Sequence, residues 1–173
     1  SSARIGARLM TELASTAGGP ADFRAAIARL NAWAARLAQS SFAKLPAGRF
    51  SAEDALDGAP GAPIPIAVAL SVDHGPKGTT VVVDFTGTAA QQPDSNLNCP
   101  LPVAAAAVFY ALRALMPAGT PAVAGAFEAV EIRAPKACLV NAQRAAAVAA
   151  DNVETSMRVV DAVLRALADA CPD

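Results

Sequence analysis

The sequence predicts an α+β fold: an N-terminal helical hairpin, a sheet that contains a β-hairpin, and two apolar helices packed on that sheet. Apolar residues recur at helical spacing in the first 44 residues, alternate with smaller or polar residues between 64 and 85, and return to helical spacing in two later runs. A chain of 173 residues is long enough for one domain with its own core. Within that domain we distinguish a helical hairpin over residues 2–44 and an α+β part over residues 45–173.

The first element is the helical hairpin. Ile5, Leu9 and Leu13 fall four residues apart, and the Gly-Gly-Pro sequence at 18–20 ends one helix and begins the next. The apolar residues that share a face of the second helix are Phe23, Ile27, Leu30, Ala34 and Leu37. This spacing predicts an amphipathic helix with a buried apolar face.

The next segment, residues 49–58, contains three acidic residues. We interpret it as a polar connector and not as a metal site, because its acids lack the spacing of a calcium loop. Beyond it, apolar residues alternate with others over 64–72 and again over 81–85, which predicts a β-hairpin. His74 falls in the Gly/Pro-rich turn between these runs, and we expect it to be exposed to solvent there.

A buried helix follows the hairpin. Asn98 and Pro100 are expected to begin it, and the run from Val103 to Leu115 is apolar on nearly every face. Such a helix has no polar side to present to water. We therefore predict that it lies at the centre of the core.

Two short strands and a final helix complete the prediction. The strands are expected at 130–132 and 139–140. Asp151 with Glu154 three residues later resembles a capping box, which predicts a helix start at Asp151. The buried stripe of this helix is expected to contain Val153, Met157, Val160, Leu164 and Leu167.

The composition indicates a protein that is covered in part by something else. Only 17 % of the residues are charged and 54 % are apolar, so large faces lack charge. Residues 1–50 carry seven Arg or Lys against two acids, a net charge of +5, whereas residues 51–173 carry −6. We predict an oligomer or a subunit docked on another protein.

Other partners are not expected. The sequence has no basic patch interleaved with aromatic residues, so nucleic-acid binding is not indicated. The sequence shows neither a run of eighteen apolar residues nor a signal segment, so it does not indicate a membrane protein. A cytoplasmic location is therefore expected. Three Cys and one His without ligand spacing predict neither a metal site nor a disulfide framework.

The stretch from Asp84 to Pro100, DFTGTAAQQPDSNLNCP, joins the predicted strand to the buried helix and is rich in hydrogen-bonding side chains. At a strand end such side chains suit ligand binding. The same residue types also close turns and cap helices for local reasons. Both interpretations stay open. The candidate substrate-binding residues in this stretch are Asp84, Thr86, Gly87, Thr88, Gln91, Asn96 and Asn98.

Four segments, in the same order, resemble the hydantoinase B/5-oxoprolinase family, which also includes the large subunits of acetone-type carboxylases. They are LPAGRF at 45–50, DFTGT with Gln91, Asn96 and Asn98, the run 134–141, and AAVAADNVETSMRVVDAV at 146–163. Ala137 and Asp151 stand where the family usually has Gly. The last segment adds the candidates Asn152, Glu154 and Thr155. The resemblance is to the central region of the longer family subunits.

The resemblance implies a component or shortened relative of an ATP-dependent hydantoinase or oxoprolinase, or of a related carboxylase. A hydantoinase A-like ATP-binding subunit would be its partner and would phosphorylate the amide oxygen. ATP and a divalent metal are implied for the complete complex, but no cofactor is expected in this chain, since the family's Asp/His-rich segment has no counterpart here. No catalytic residue is assigned, and the chain is not expected to be active alone. The alternative is a non-catalytic interaction or assembly module that kept the fold.

Overall fold

The computed structural model describes residues 2–59 and 62–171, and it confirms the α+β fold. The elements in chain order are α1 (Ser2–Thr16), α2 (Pro20–Phe42), β1 (Gly48–Ala59), β2 (Ala62–Gly75), β3 (Gly78–Asp84), α3 (Leu101–Arg113), β4 (Val130–Arg133) and α4 (Ser156–Ala170). A short 3-10 helix precedes β4, and a π turn over Asp151–Thr155 precedes α4. The predicted helical hairpin is thus present as α1 and α2.

The four strands form one mixed sheet in the order β1-β2-β3-β4. The first three strands are antiparallel neighbours, with Ser51 opposite Ala69 and Ser71 opposite Val82. β4 lies parallel to β3, with Glu131 beside Val82. The predicted β-hairpin is therefore the β2–β3 part of a larger sheet.

The interpretation of residues 49–58 as a polar connector is wrong, because this segment forms β1 at the edge of the sheet. Its even-numbered residues turn inward: Leu56 is buried and Phe50 is partly buried against the core. Its odd-numbered residues, such as Arg49 and Glu53, are exposed. A strand with one face in water accommodates charged side chains on that face.

Ion pairs join β1 to α4. Asp54 Oδ2 lies 3.6 Å from Arg158 Nη1 and 3.5 Å from Arg165 Nη2. Arg158 also pairs with Asp161 at 2.7 Å. The side chain of Asp54 is only 11 % exposed, so these pairs fix the edge strand onto the last helix.

The core lies between the sheet and the two later helices. α4 packs on β1 and β2, and α3 packs against α4. The largest fully buried side chains include Phe42, Phe85, Ile66, Leu70, Leu112 and Leu139. The predicted burial of α3 holds for one face only, since Tyr110 on the same helix is 71 % exposed.

The predicted buried face of the helical hairpin is only partly present. α1 has no buried residue, and Ile5, Leu9 and Leu13 are each more than half exposed. In α2 the buried residues are confined to its second half, where Phe42 reaches the core. The apolar faces lie where the spacing places them, but most of that surface has no neighbour among the described residues.

Four local predictions are also wrong. In the predicted buried stripe of the last helix, Val153 and Met157 are each 56 % exposed and Leu164 is 39 % exposed. The helix instead turns a neighbouring face to the core, and its buried residues are Val159, Ala162, Val163, Ala166, Leu167 and Ala170. Leu139 and Val140 are buried but lie in turns, and the sheet-like pairing described nearby is a single bridge between Ala90 and Cys138. Asp151 begins a π turn without a side-chain cap instead of a capping box. Asn98 does not cap α3 either, since Pro100 holds the cap position and no side chain caps it.

His74 lies at the end of β2 and is exposed, as expected, yet both ring nitrogens have partners. Nε2 is 2.9 Å from the carbonyl oxygen of Leu45, and Nδ1 is 3.0 Å from Oγ1 of Thr79. A carbonyl only accepts, so Nε2 carries a proton. His74 therefore links the β2–β3 hairpin to the end of the helical hairpin.

Candidate functional site

The polar loop, residues 85–100, begins where β3 ends. The backbone N–H of Thr86 donates to Oδ1 of Asp84 at 2.9 Å, which turns the chain away from the sheet. Gly87 follows with φ +102°, and a Cβ there would lie 3.3 Å from the side chain of Ala67. A glycine at this position lets the loop return against β2.

Thr88 and Ala89 then extend the sheet locally. The hydroxyl of Thr88 donates to the carbonyl of Ala67 at 3.0 Å and accepts from the N–H of Ala67 at 3.1 Å. The N–H of Ala89 donates to the carbonyl of Pro65 at 2.9 Å. The hydroxyl of Thr88 thus forms the two hydrogen bonds with Ala67 of β2 that the backbone of a neighbouring strand would form.

Gln91 joins the polar loop to the segment 137–147. Its backbone N–H donates to the carbonyl of Ala137 at 2.9 Å, and its Oε1 accepts from the N–H of Gln143 at 2.8 Å. The side-chain oxygen of Gln91 is therefore occupied within the protein.

Asn98 is fully buried and organises the loop from inside. Its Oδ1 accepts from the N–H of Gln92 at 2.6 Å, and its Nδ2 lies 2.7 Å from the carbonyl of Gln92. The same nitrogen is 2.8 Å from the carbonyl of Ser95 and 3.0 Å from that of Ala147. The polar side-chain atoms of Asn98 are thus directed to backbone groups of the protein itself.

The π turn closes the other side of the loop. Thr155 is fully buried, and its hydroxyl donates to the carbonyl of Leu97. The N–H of Ala150 donates to the carbonyl of Asn96 at 3.0 Å. Glu154 is exposed, and the side chain of the candidate Asn152 lies outside the described part of the protein.

The candidates therefore divide into two groups. Thr88, Gln91, Asn98 and Thr155 bond to the protein's own backbone, and Asp84 with Gly87 shapes the turn. The side chains of Thr86, Asn96 and Glu154 are exposed. The structure brings the candidates of the polar loop and the π turn into one neighbourhood, but it turns most of their polar atoms inward.

A groove of about 400 Å³ lies where the polar loop meets the far end of the β1–β2 hairpin. One wall is formed by Asp57, Gly58 and Ile64. The other wall is formed by Gln92, Pro93, Asp94, Ser95 and Leu97. Two exposed carboxylates, an amide and a hydroxyl thus lie beside the apolar side chains of Ile64 and Leu97, which suits a small ring that carries N–H groups.

Sequence reasoning missed Asp57, Asp94 and Ser95 as site residues. Asp94 and Ser95 lie inside the polar stretch, so their composition was a usable signal. Asp57 falls in the segment that the sequence indicates to be a connector. Its place beside the loop follows only from the pairing of β1 with β2.

A larger cavity of about 570 Å³ lies at the other end of the sheet, between α2, the β2–β3 turn and β4. Gln39 on its wall already bonds both backbone groups of Thr79, at 2.9 and 2.8 Å. The residues that line this cavity lie outside the four segments that carry the family resemblance. We therefore take the groove at the polar loop as the candidate site.

The ionisable groups near the loop are tuned by their surroundings. The hydroxyl of Thr86 and then its backbone N–H hold the pKa of Asp84 below its ordinary value. Burial, with a smaller contribution from the charge of Asp151, raises the pKa of Cys99 to about 12, and burial raises that of Cys138. Neither thiol is a thiolate at neutral pH, so neither is a ready nucleophile.

The residues present do not fit the divalent metal that the resemblance implies for a complete complex. Within residues 2–59 and 62–171, no three His, Cys, Asp or Glu side chains come together in a way that could hold an ion.

In the same part of the chain, no helix is both long and apolar enough to cross a membrane.

Comparison with known proteins gives a consistent family. The family model described as hydantoinase B/oxoprolinase matches residues 1–173. A protein of a Pseudomonas species that is named as a D-/L-hydantoinase component is 30 % identical over 98 % of this chain and 30 % of its own length. The 5-oxoprolinase 1 of Arabidopsis thaliana is 43 % identical over 48 % of this chain and 6 % of its own length.

A solved structure has the same fold. The ATP-dependent caprolactamase from Pseudomonas jessenii superposes with a TM-score of 0.82 at 24 % identity, over 98 % of this chain and 28 % of that chain. The chain thus spans less than a third of the length of each of these relatives.

Proposed function

The chain belongs to the hydantoinase B/oxoprolinase family, and from this premise we propose that it is a component of an ATP-dependent enzyme that opens cyclic amides. An ATP-binding subunit of the hydantoinase A type is the proposed partner. The compounds that give the relatives their names, 5-oxoproline, hydantoin and caprolactam, all contain a cyclic amide. The proposal places the chain in the cytoplasm, where ATP is available.

The groove at the polar loop carries the proposal for the substrate site. A cyclic amide has an apolar ring edge, an N–H donor and a carbonyl acceptor. Ile64 and Leu97 offer apolar contact for the ring. Asp57 and Asp94 can accept the N–H, and the hydroxyl of Ser95 can donate to the carbonyl. These residues would orient the substrate.

The rigid backing of the groove supports this role. Gln92, Ser95 and Leu97 line the groove with their neighbours, while their backbone groups are held by Asn98 and Thr155 from behind. A wall held by side-chain bonds keeps the exposed groups in one geometry, which lowers the entropy lost on binding.

Activation of the amide is assigned to the partner. An amide carbonyl is a poor electrophile, and transfer of a phosphoryl group to its oxygen creates a leaving group that water can displace. The chain has no GxxxxGK[ST] segment to hold ATP. ATP and the implied metal therefore belong, in this proposal, to the complete complex, and no step of the reaction is assigned to a metal in this chain.

A second function is favoured by one observation. Thr88, Gln91 and Asn98 direct their polar side-chain atoms to the protein's own backbone. A loop whose polar side-chain atoms are bonded internally can act as a rigid surface for another protein without binding a substrate. A non-catalytic assembly module of the same family is therefore the alternative proposal.

The experiment compares the chain alone with the chain co-purified with a hydantoinase A-like subunit, using ATP, Mg²⁺ and a panel of 5-oxoproline, hydantoin and caprolactam. We expect turnover only in the complex. Asp94→Asn should raise KM with little change in complex formation, whereas Asp73→Asn, an exposed control at the other end of β2, should change neither. Full activity of Asp94→Asn would remove the groove from the proposal. Complex formation without turnover on any compound would favour the assembly module.

A further inference from the structure

β1 forms one edge of the sheet. It is twelve residues long, and no described strand pairs with its outer side. Natural edge strands are usually blunted by proline, lysine, a bulge or an inward-pointing charge, and the inward charge of Asp54 is paired here with Arg158 and Arg165 of the same chain. Residues 48–54 contain neither proline nor lysine, and the one irregularity in the β1–β2 pairing lies later, between Leu56 and Ala59.

The hydrogen bonds of β2 show which groups of β1 face outward. Both backbone groups of Ala67 bond to Thr88 on the β3 side, so they point away from β1. In an antiparallel pair, opposite residues either both face each other or both face away. Glu53, which is opposite Ala67, therefore directs its N–H and C=O to the free edge.

A second contact supports this direction. Nη1 of Arg165 donates to the carbonyl of Glu53 at 3.1 Å, from outside the β1–β2 ladder. The alternation along a strand gives Arg49 and Ser51 the same outward orientation of their backbone groups. A carbonyl oxygen has two lone pairs, so the contact from Arg165 leaves Glu53 able to accept a second bond.

The exposed charges on β1 select a partner and a register. Arg49, Ser51 and Glu53 are all exposed on the same face. An antiparallel copy of β1 centred on Ser51 sets Arg49 opposite Glu53 twice, once on each side of the centre. A copy centred on Glu53 sets Arg49 opposite Asp57 but also two glutamates opposite each other, and one centred on Arg49 sets two arginines opposite each other. Like charges that face each other are destabilising, and of these three copies only the one centred on Ser51 has opposite charges without such a pair.

We propose that β1 pairs antiparallel with β1 of a second copy of this chain, across a two-fold axis at Ser51, to give a continuous eight-stranded sheet. The pairing covers residues 48–54 of each copy. An isologous contact of this kind closes on itself and produces a dimer. The proposal does not depend on the substrate site, because the groove residue Asp57 lies beyond the paired segment.

A cross-link tests the register. In the Cys171→Ser background, which removes the exposed native thiol, Ser51→Cys should form a covalent dimer under mild oxidation. Facing residues of a bonded antiparallel pair have Cα atoms about 5.5 Å apart, within the range for a disulfide. Ala55→Cys is the matched control: residue 55 is also exposed, but its two copies lie far apart in this register. Cross-linking of Ala55→Cys and not of Ser51→Cys would overturn the proposed pairing.

Exchange of the charges at positions 49 and 53 tests the partner without a covalent cross-link. Light scattering of the unmodified chain should give about twice its mass of 17.4 kDa. Arg49→Glu or Glu53→Arg alone should weaken the dimer at least tenfold, and the double variant should restore it. Circular dichroism of each variant checks that the fold is kept. A chain that stays monomeric at high concentration, or a double variant no better than the single ones, would refute self-pairing and leave the edge to another polypeptide.

A proline substitution separates edge pairing from folding. The N–H of Ser51 points outward, so Ser51→Pro removes no bond within the chain and should yield a folded monomer. The N–H of Ala52 faces β2, so Ala52→Pro should instead unfold the edge. Dimer mass in folded Ser51→Pro would count against the proposal.

Discussion

The side-chain amide of Asn98 bonds both backbone groups of Gln92, six residues earlier, as a neighbouring strand would. This pairing closes the part of the polar loop that lines the groove. Because Asn98 is fully buried, removal of its side chain leaves the backbone groups that it bonds without those partners and away from bulk solvent.

Asn98→Ala should therefore lower the free energy of unfolding by about 2–3 kcal/mol, since it leaves several buried backbone groups without partners. Asn96→Ala, at an exposed position in the same loop, should change it by less than about 0.5 kcal/mol. Chemical denaturation of both variants measures the difference. Equal, small effects would show that the loop is not held by Asn98.

The carboxyl group of Asp84 should give stability that depends on pH. Its pKa in the folded protein lies below the ordinary 3.8, chiefly because of the hydroxyl of Thr86. A depressed pKa means that the contribution is present above pH 3.8 and is lost as the pH falls through the lowered value. Thr86→Ala should raise the pKa of Asp84 only partway, since the backbone N–H remains. Carbon NMR titration of the carboxyl group measures this, with Thr80→Ala on β3 as the control that should cause no change.

The three cysteines should differ in reactivity. Cys171 is exposed, whereas Cys99 and Cys138 are buried and have raised pKa values. At pH 8, iodoacetamide should modify Cys171 alone, and all three thiols should react in denaturant. Mass spectrometry identifies the sites. Modification of Cys99 in the folded chain at the rate of Cys171 would contradict the packing beside the loop.

Two leucines on different helices should contribute very differently to stability. Leu112 on α3 is fully buried, and Leu112→Ala should cost about 2–5 kcal/mol. Leu9 on α1 is 52 % exposed, and Leu9→Ala should cost less than about 0.5 kcal/mol. Thermal unfolding of both variants tests this. A large loss for Leu9→Ala would mean that the apolar face of α1 is covered in solution.

Ala137 adopts φ 60°, a conformation that favours glycine. Ala137→Gly relieves this strain but adds freedom to the unfolded chain, so we expect a gain of up to about 1 kcal/mol. Ala104→Gly, inside α3, should instead cost about 1 kcal/mol or more. Denaturation midpoints of the two variants compare them, and a loss of stability in Ala137→Gly would show that the alanine is not strained.

The elements with strong periodicity could be predicted from the sequence, and the weakly patterned edge strand could not. β2 and β3 are covered on one side by the core, so their alternation is clear. In β1 only Phe50 and Leu56 are large and apolar, and the acids at 53, 54 and 57 mask the pattern. Pairing with β2 makes this segment a strand, and pairing is not visible in local composition.

The sequence pointed to the polar loop, but none of the candidate residues whose side chains the structure describes lines the groove, and the direction of their side chains could not be predicted. Thr88, Gln91 and Asn98 have the residue types expected of ligand contacts. The same hydroxyl and amide groups satisfy buried backbone groups equally well. Only the approach of distant segments, such as Ala67 to Thr88 or Gln143 to Gln91, decides between these uses.

The parallel pairing of β3 with β4 has a consequence for the order of folding. The antiparallel β1–β2–β3 part has short connections and can form from local contacts, whereas β4 must wait for the whole stretch 85–129 to close. The polar loop lies in that stretch and is also held by Thr155, which arrives later still during synthesis. One wall of the groove can thus exist on the ribosome well before the other is fixed, and the groove takes its final shape only when the last helix has joined the core.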